Sequence, residues 1–445
     1  MLEAARARSS HGFGLPRHVE ASFRRTLDCG ILERGFARVV CPSCPYEVLV
    51  PFSCKSRGLC PSCDGRRMAD GAAHLVDHVL PSCADVRQWT LSLPRWLRFR
   101  LLCEPDLVSD VLRVFVRVVS AYHRRRARQR DVGDGHTGAV TAIQRAGSFA
   151  NANVHFHTLV PEGVWYERAD GTVAFHALPP PTDEDVVALT TRIVRRVARL
   201  LGARDVDADA TDPPELDDLV HAQAEAVHVP RGPQLPSASR TTSRRRAALV
   251  DGFSLHADTV VDAGDRAGLE RLCRYLLRPL VTADRLTLRP DGRVEYTFKR
   301  PDPTGRVSWV TDGPTWLRRL ATLVPPPRSH TTRFHGVFGP AHRWRSRIVP
   351  APADIDDGAP ACETATPRMR PAYRLDWAQL LRRVFGDDIT RCPRCDDHLR
   401  VLAFLTDPAV TTAILDHLGL RSDPPRLAPA RAPPEPAQTE LDLGC

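Results

Sequence analysis

Alternating hydrophobic and polar positions along several short stretches of the chain predict β-strands. The clearest stretch is Val154–Val160, where His155 and His157 lie on one face of a strand and Phe156 lies on the other. Further stretches with strand-like composition span 86–93, 138–146, 252–261 and 291–299. The chain therefore contains a β-sheet in which one strand presents two histidines together.

Apolar residues spaced three and four positions apart predict amphipathic helices between these strands. The predicted helices span 17–37, 106–128, 183–201, 265–278 and 314–323. With insertions removed, the central order is β-α-β-β-α-β followed by one more helix, which is the ferredoxin-like pattern. This topology places the histidine strand at the centre of an antiparallel sheet, between strands 138–146 and 86–93.

Two imidazoles on one face of a strand form half of a site for a divalent cation. A third ligand is expected from a neighbouring strand. Gln144 lies near the end of the hairpin partner, whereas the strand of His256 lies two strands away, roughly 9–10 Å across the sheet. This geometry favours Gln144, with His256 as the rival candidate.

The helix predicted over 265–278 carries a second group of reactive residues. Its buried stripe consists of Leu269, Leu272, Cys273 and Leu276. Arg271, Tyr275 and Arg278 share a different face. The arginines suit phosphate oxygens, and the phenol of Tyr275 is a potential nucleophile.

Cysteine spacing predicts a zinc site near the N-terminus. The chain has 13 cysteines, and two Cys-x-x-Cys pairs follow one another at a distance typical of four-cysteine zinc sites. We predict one structural Zn²⁺ bound by Cys41, Cys44, Cys60 and Cys63. Cys54 lies between the pairs and could replace a ligand or belong to a second site.

A third pair, Cys392-x-x-Cys395, provides only half of a zinc site. His398 or His417 could complete it, and the sequence leaves this choice open.

Charge and hydropathy restrict the class of protein. The net charge of +9 comes almost wholly from arginine and suits a polyanionic partner. No apolar run approaches the roughly 18 residues of a membrane span, and the N-terminus lacks the apolar core of a signal peptide. We therefore expect a cytoplasmic protein without a membrane partner.

Several motifs carry a family resemblance when they are taken in chain order. They are Cys41-Pro42-Ser43-Cys44, Ser53-Cys54-Lys55, Cys60-Pro61-Ser62-Cys63, Gln144-Arg145, Asn153-Val154-His155-Phe156-His157, Cys273-Arg274-Tyr275-Leu276-Leu277-Arg278-Pro279, Phe334-His335-Gly336-Val337 and Arg391-Cys392-Pro393-Arg394-Cys395. In these motifs the chain resembles the rolling-circle transposases of the insertion sequence ninety-one family. These belong to the HUH single-strand endonucleases.

The resemblance implies an α+β fold in which a ferredoxin-like HUH nuclease domain follows a zinc-binding domain. It implies that Tyr275 attacks single-stranded DNA at transposon ends and target, forming a 5′-phosphotyrosine. Mg²⁺ or Mn²⁺ would be held by His155, His157 and Gln144. The residues expected to bind DNA are Arg145, His256, Arg271, Arg274 and Arg278.

One position departs from the family pattern. Many members carry two catalytic tyrosines four residues apart, and here Arg271 stands four residues before Tyr275. The chain therefore resembles the single-tyrosine branch, and the resemblance implies a bacterial, nucleoid-associated protein. A replication initiator or relaxase with the same chemistry, and a zinc-dependent DNA-binding protein without catalysis, are the alternatives.

We predict five segments from these patterns. They are a zinc-binding domain (1–85), a catalytic domain with a flexible insertion at about 203–250 (86–300), a basic-aromatic DNA-binding extension (301–360), a small helical Cys-x-x-Cys module (361–420) and a disordered tail (421–445).

Overall fold

The computed structural model describes residues 15–147, 149–208, 223, 245–279, 281–302, 305–349 and 390–423. Several predictions fall outside these residues. They concern the linker at 350–370, the helix from Trp377 to Phe385, most of the insertion at 203–250 and the tail beyond 423. None of the described helices is long and apolar enough to cross a membrane.

A large antiparallel sheet forms the centre of the structure. Its strands are β3 (Val86–Ser92), β4 (Gly138–Ala146), β5 (Ala152–Pro161), β8 (Ala247–Val250), β9 (Phe253–His256), β10 (Val260–Val261) and β14 (Thr332–Gly336). The spatial order is β14-β4-β5-β3-β9-β8, and β10 also pairs with β3. The central four strands, β4-β5-β3-β9, have the order of a ferredoxin-like sheet, and β5 lies between β4 and β3 as predicted.

Helices cover both faces of this sheet. They are α1 (Arg17–Leu27), α2 (Pro61–His78), α3 (Arg95–Cys103), α4 (Pro105–Arg128), α5 (Asp183–Ala208), α6 (Arg266–Leu277), α7 (Gly313–Leu323), the short α8 (Arg345–Ile348) and α9 (Pro408–His417). Apolar residues of α3, α4 and α5 pack with Phe156 and Leu91 in one core. Residues of α2 and α6 pack with Val140 and Leu159 in a second core. The alternation along β5 therefore separates two hydrophobic layers.

Two predicted elements are shorter than their sequence patterns suggested. The helix predicted over 17–37 ends at Leu27, and a strand begins at Phe36. Gly30 and Gly35 lie between them with φ values of 74° and 118°, which an α-helix does not allow. The strand predicted over 252–261 is divided into β9 and β10.

Three smaller sheets are present in the described part of the chain. The first joins β15 (Arg400–Leu405), β1 (Phe36–Val40) and β2 (Glu47–Pro51) in that order. The second contains β11 (Leu286–Leu288), β12 (Val294–Thr297) and β13 (Ser308–Thr311). The third is the hairpin of β6 (Gly163–Glu167) and β7 (Val173–Ala177). Because β15 pairs with β1, the C-terminal Cys-x-x-Cys module and the N-terminal segment share one sheet.

A buried ion pair links the central strands. The Arg87 side chain on β3 is 3% exposed, and its guanidinium donates two hydrogen bonds to the carboxylate of Glu162, which directly follows β5. A further guanidinium nitrogen donates to the Ala257 carbonyl oxygen at 2.6 Å. Arg87 therefore joins β3, the end of β5 and the segment after β9 at one point.

Replacement of Glu162 by alanine should lower the free energy of unfolding by about 3–5 kcal/mol, because the Arg87 charge would stay buried without its partner. Urea denaturation would measure the loss. The matched control is Glu47→Ala, which breaks the more exposed pair with Arg38 and should cost about 1 kcal/mol or less. Equal losses in the two variants would contradict the importance of burial here.

Candidate active site and metal centres

The two histidines of β5 lie on the face of the sheet that α6 covers. Their ring centroids are 4.9 Å apart. Phe156 points into the opposite layer and stacks on Phe115 of α4 at 6.4 Å. In the register of the sheet, His155 pairs with Gln144 of β4 and His157 pairs with Thr90 of β3. The predicted alternation is therefore present, and it places both imidazoles in one polar patch.

Burial keeps both imidazoles neutral. The pKa of His155 is lowered to about 4 and that of His157 to about 3, mainly by burial; the charge of Arg278 contributes to both, and His155 contributes to the lowering at His157. The Nδ1 atom of His155 lies 2.8 Å from the Asn153 carbonyl oxygen, and the Nε2 atom of His157 is buried without a hydrogen-bond partner. A neutral imidazole with an unpartnered ring nitrogen is the form that binds a divalent cation.

Tyr275 stands over this patch from α6. Its ring lies edge-on to the ring of His157, with centroids 5.9 Å apart and planes at 88°. The helix buries Leu269, Leu272 and Leu276 against the sheet and α2, as predicted, and leaves Tyr275 42% exposed. An exposed phenol beside a pair of buried imidazoles is accessible to a substrate.

Arg278 and Lys299 provide positive charge around the Tyr275 ring. Pro279 disfavours helical geometry at the preceding residue, and Arg278 is extended with a ψ of 148°. Its guanidinium carbon lies 4.3 Å from the centroid of the Tyr275 ring, and the Lys299 ammonium lies 5.9 Å from it. Lys299 is not among the predicted site residues. Its one distinguishing feature in the sequence is that it is one of only two lysines in the chain.

The other arginines predicted to bind DNA have different surroundings. Arg271 lies 4.0 Å from the carboxylate of Asp265, and Arg274 lies 2.6 Å from that of Glu270 on its own helix. Arg145 is buried, which lowers its pKa to about 10, and its Nε atom has no hydrogen-bond partner. Arg278 is therefore the predicted arginine that contacts Tyr275 directly.

Both candidates for the third ligand have clear positions. Gln144 is buried directly opposite His155, and its amide nitrogen donates to the Leu276 carbonyl oxygen at 2.7 Å. His256 pairs with Thr90, which places it two strands from β5. Among the described residues, no histidine, cysteine or carboxylate joins His155 and His157 in a cluster with ligand atoms within 4.8 Å. Of the two candidates, Gln144 lies on the strand next to β5 and His256 lies one strand further away.

The cysteines form two clusters, and the predicted ligand set of Cys41, Cys44, Cys60 and Cys63 is wrong. The first cluster contains Cys29, Cys54, Cys60 and Cys63, with ligand atoms within 4.8 Å of one another. Its Sγ atoms are 3.7 Å apart between Cys29 and Cys60, and 3.4 Å apart between Cys54 and Cys63. A tetrahedral ion with Zn–S bonds of about 2.3 Å separates its sulfurs by about 3.8 Å. The cluster therefore fits Zn²⁺.

Two thiols of this first cluster lie at the start of α2. Cys60 is the N-cap, Pro61 begins the helix and Cys63 lies in its first turn. The helix dipole favours a thiolate at this position, but burial raises the pKa of Cys60 and raises that of Cys63 to about 11. Binding of a cation offsets this, because it releases the thiol protons.

The second cluster joins the two ends of the chain. It contains Cys41, Cys44, Cys392 and Cys395. The Sγ atoms are 3.4 Å apart between Cys41 and Cys395, and 3.5 Å apart between Cys44 and Cys392. The C-terminal half-site is therefore completed by the first N-terminal pair, whereas His398 and His417 are not part of the cluster. The predicted grouping of Cys41 and Cys44 with Cys60 and Cys63 is wrong because the spacing between two Cys-x-x-Cys pairs does not show which pairs the fold brings together.

The aromatic residues of the basic stretch after 330 are used in packing. Trp344 is buried, and its ring centroid lies 4.5 Å from that of His136. Arg343 and Arg347 each lie 3.6 Å from the carboxylate of Glu167. Trp344 is thus not positioned to stack on bases.

Comparison with known families agrees with this arrangement. A family described as "Putative transposase" matches residues 138–346, and one described as "Transposase zinc-binding domain" matches residues 3–93. The first match contains the histidine pair and Tyr275, and the second contains the six N-terminal cysteines of the two clusters. No curated protein and no solved structure matched the chain.

The combination of these two domains defines a transposase, which is an enzyme that processes DNA. Residues 3–93 and 138–346 are together similar to transposases of the insertion sequence ninety-one type. The zinc-binding domain and the cysteine clusters together assign structural Zn²⁺ to the protein.

Elemental analysis of the purified full chain should find two Zn²⁺ ions per molecule, because each cluster offers four thiolates. Cys392→Ser with Cys395→Ser should remove one ion and leave the other, since four-thiolate sites bind zinc tightly only when complete. The matched control replaces Cys83 and Cys103, two exposed cysteines outside both clusters, and should keep both ions. One ion in the unaltered protein, or no effect of the C-terminal pair, would contradict the second cluster.

Proposed function

We propose that this transposase moves DNA by a rolling-circle mechanism in which Tyr275 cuts a single strand. One observation carries the proposal: the Tyr275 ring stands edge-on to His157 at 5.9 Å, directly over the histidine pair. A nucleophile and a pair of neutral imidazoles beside each other can act on one phosphate. The proposal follows the general pattern of covalent catalysis, in which a side-chain nucleophile forms a covalent intermediate with the substrate.

The reaction follows from these positions. A divalent ion, Mg²⁺ or Mn²⁺, held by His155, His157 and Gln144 would draw charge from an oxygen of the scissile phosphate. The Tyr275 oxygen attacks the phosphorus, and the bond from phosphorus to the 3′ oxygen of the preceding nucleotide breaks. The products are a 5′-phosphotyrosine and a free 3′-hydroxyl. Since the covalent bond keeps the phosphate activated, no nucleotide cofactor is needed.

Positive charge around the site supports DNA as the substrate. The guanidinium of Arg278 and the ammonium of Lys299 both approach the Tyr275 ring. Arg278 also lines a cavity of about 290 Å³, together with Gln144, Arg57 and Arg67. The cavity lies between the zinc-binding segment and α6, where a strand leaving Tyr275 could contact both domains.

One tyrosine would serve both cleavage and rejoining in this mechanism. Arg271 occupies the position four residues before Tyr275, and its side chain is 73% exposed beside Asp265. A guanidinium cannot act as a nucleophile at neutral pH. We therefore infer that strand transfer proceeds through Tyr275 alone.

Tyr275→Phe should abolish the covalent adduct between protein and single-stranded DNA. The change removes one oxygen from a half-exposed ring, so the free energy of unfolding should change by less than about 1 kcal/mol. Mass spectrometry of an oligonucleotide-linked peptide measures the adduct. Tyr166→Phe, on β6, is the matched control and should keep full adduct formation. An adduct that persists in Tyr275→Phe would place the nucleophile elsewhere.

Replacement of both His155 and His157 by alanine should reduce metal-dependent cleavage at least about 100-fold, because the ion would lose two ligands. DNA binding should change little, since contacts with phosphates depend mainly on arginines. Cleavage of a labelled single strand with added Mn²⁺ and a gel-shift titration measure the two properties. His176→Ala, on β7 outside this sheet, is the control. An equal loss of binding and cleavage would argue against a catalytic metal, and intact cleavage would exclude it.

A further inference from the structure

The histidine pair binds a cation only if each imidazole turns a ring nitrogen with a free lone pair toward it. For His155 a backbone carbonyl oxygen determines which ring nitrogen carries the proton. Its Nδ1 atom lies 2.8 Å from the carbonyl oxygen of Asn153. A carbonyl oxygen can only accept a hydrogen bond, so Nδ1 carries the proton and Nε2 keeps its lone pair.

For His157 the corresponding contacts come from side chains of β3. In the structure the amide nitrogen of Gln88 lies 2.6 Å from the Nδ1 atom of His157, which is also 3.2 Å from the Thr90 hydroxyl oxygen. The same nitrogen donates to that hydroxyl oxygen at 3.1 Å. Gln88 is buried, and its position two residues before Thr90 puts both side chains on the face of the sheet that carries His157. The Gln88 amide, the Thr90 hydroxyl and the His157 Nδ1 atom therefore all lie within hydrogen-bonding distance of one another.

An amide side chain fits this contact in either of two orientations, which exchange its nitrogen and its oxygen. If the nitrogen faces His157, Nδ1 accepts and Nε2 must carry the proton. Nε2 is buried without a hydrogen-bond partner, so its N–H would be unsatisfied, and the atom could not bind a cation. If the oxygen faces His157, Nδ1 donates, the Gln88 oxygen can also accept from Thr90, and Nε2 keeps its lone pair.

We propose that Gln88 is a positioning residue that turns its amide oxygen to His157 and so holds the Nε2 lone pair of this imidazole toward the cation. This inference rests on the proposed function, because it requires a divalent ion between His155 and His157. Partners that orient a metal-binding imidazole in this way typically change metal affinity by about 10–100-fold. The two histidines would then present the same ring nitrogen, one oriented by the backbone and the other by Gln88.

Titration of the zinc-loaded full chain with Mn²⁺ in the absence of DNA tests this role. Gln88→Met keeps the length of the side chain but removes the acceptor, and it should weaken Mn²⁺ binding about 10–100-fold. Gln88→Glu restores an acceptor oxygen at the same place and should bind Mn²⁺ at least as tightly as the unaltered protein. A purely structural role for Gln88 would weaken binding in both variants, so loss of affinity in Gln88→Glu would overturn the proposal.

The protonated nitrogen of His157 is a second, metal-free readout. With ¹⁵N-labelled histidine, the signal of His157, identified by its loss in His157→Gln, should show a proton on Nδ1 in the unaltered protein. Gln88→Met should move part of this population to Nε2. An Nδ1 proton that is unchanged in Gln88→Met would overturn the role of Gln88 alone. If replacement of His155 and His157 leaves Mn²⁺ binding unchanged, the metal site is overturned, and the proposed function with it.

Discussion

The position of β5 between β4 and β3 is the constraint on which the site depends. A strand in the middle of an antiparallel sheet cannot slip by one residue without moving Phe156 from the apolar core to the polar face. This register places Gln144 opposite His155 and Thr90 opposite His157. The polar contacts of His157 therefore come from Gln88 and Thr90 on the neighbouring strand β3, whereas His155 contacts the Asn153 carbonyl oxygen of β5 itself.

The second requirement is that α6 lies across this face. Its position is held by apolar contacts with α2 on one side and by the hydrogen bond from Gln144 to the Leu276 carbonyl oxygen on the other. The N-terminus of α2 carries Cys60 and Cys63 of the first zinc cluster. The zinc-binding segment and the helix that bears Tyr275 are thus directly connected through one packed layer.

The second cysteine cluster has a different structural role. Its cysteines come from the N-terminal and the C-terminal parts of the chain. The pairing of β1 with β15 and a hydrogen bond from Ser43 to Asp397 join the same two parts. An isolated strand of six residues such as β15 is not stable by itself in water. Pairing with β1 and a shared ion provide the stabilisation that a small C-terminal module lacks. The family match described as "Transposase zinc-binding domain" contains Cys41 and Cys44 but not Cys392 and Cys395.

The sequence by itself determined the features that depend on local periodicity. The alternation around His155 and His157, the apolar stripe of α6 and the exposed position of Tyr275 could all be predicted, because side-chain direction in a strand or helix follows from residue spacing. The central position of β5 also followed, since few connections are compatible with a β-α-β-β-α-β order. Only the tertiary structure decided which cysteines share an ion. Thiolates in a zinc site interact through space, so Cys29 could join Cys54 and Cys392 could join Cys44 without any signal in their spacing. The same reason applies to Gln88. It lies 69 residues before His157 in the chain, and their contact depends on the register between β3 and β5.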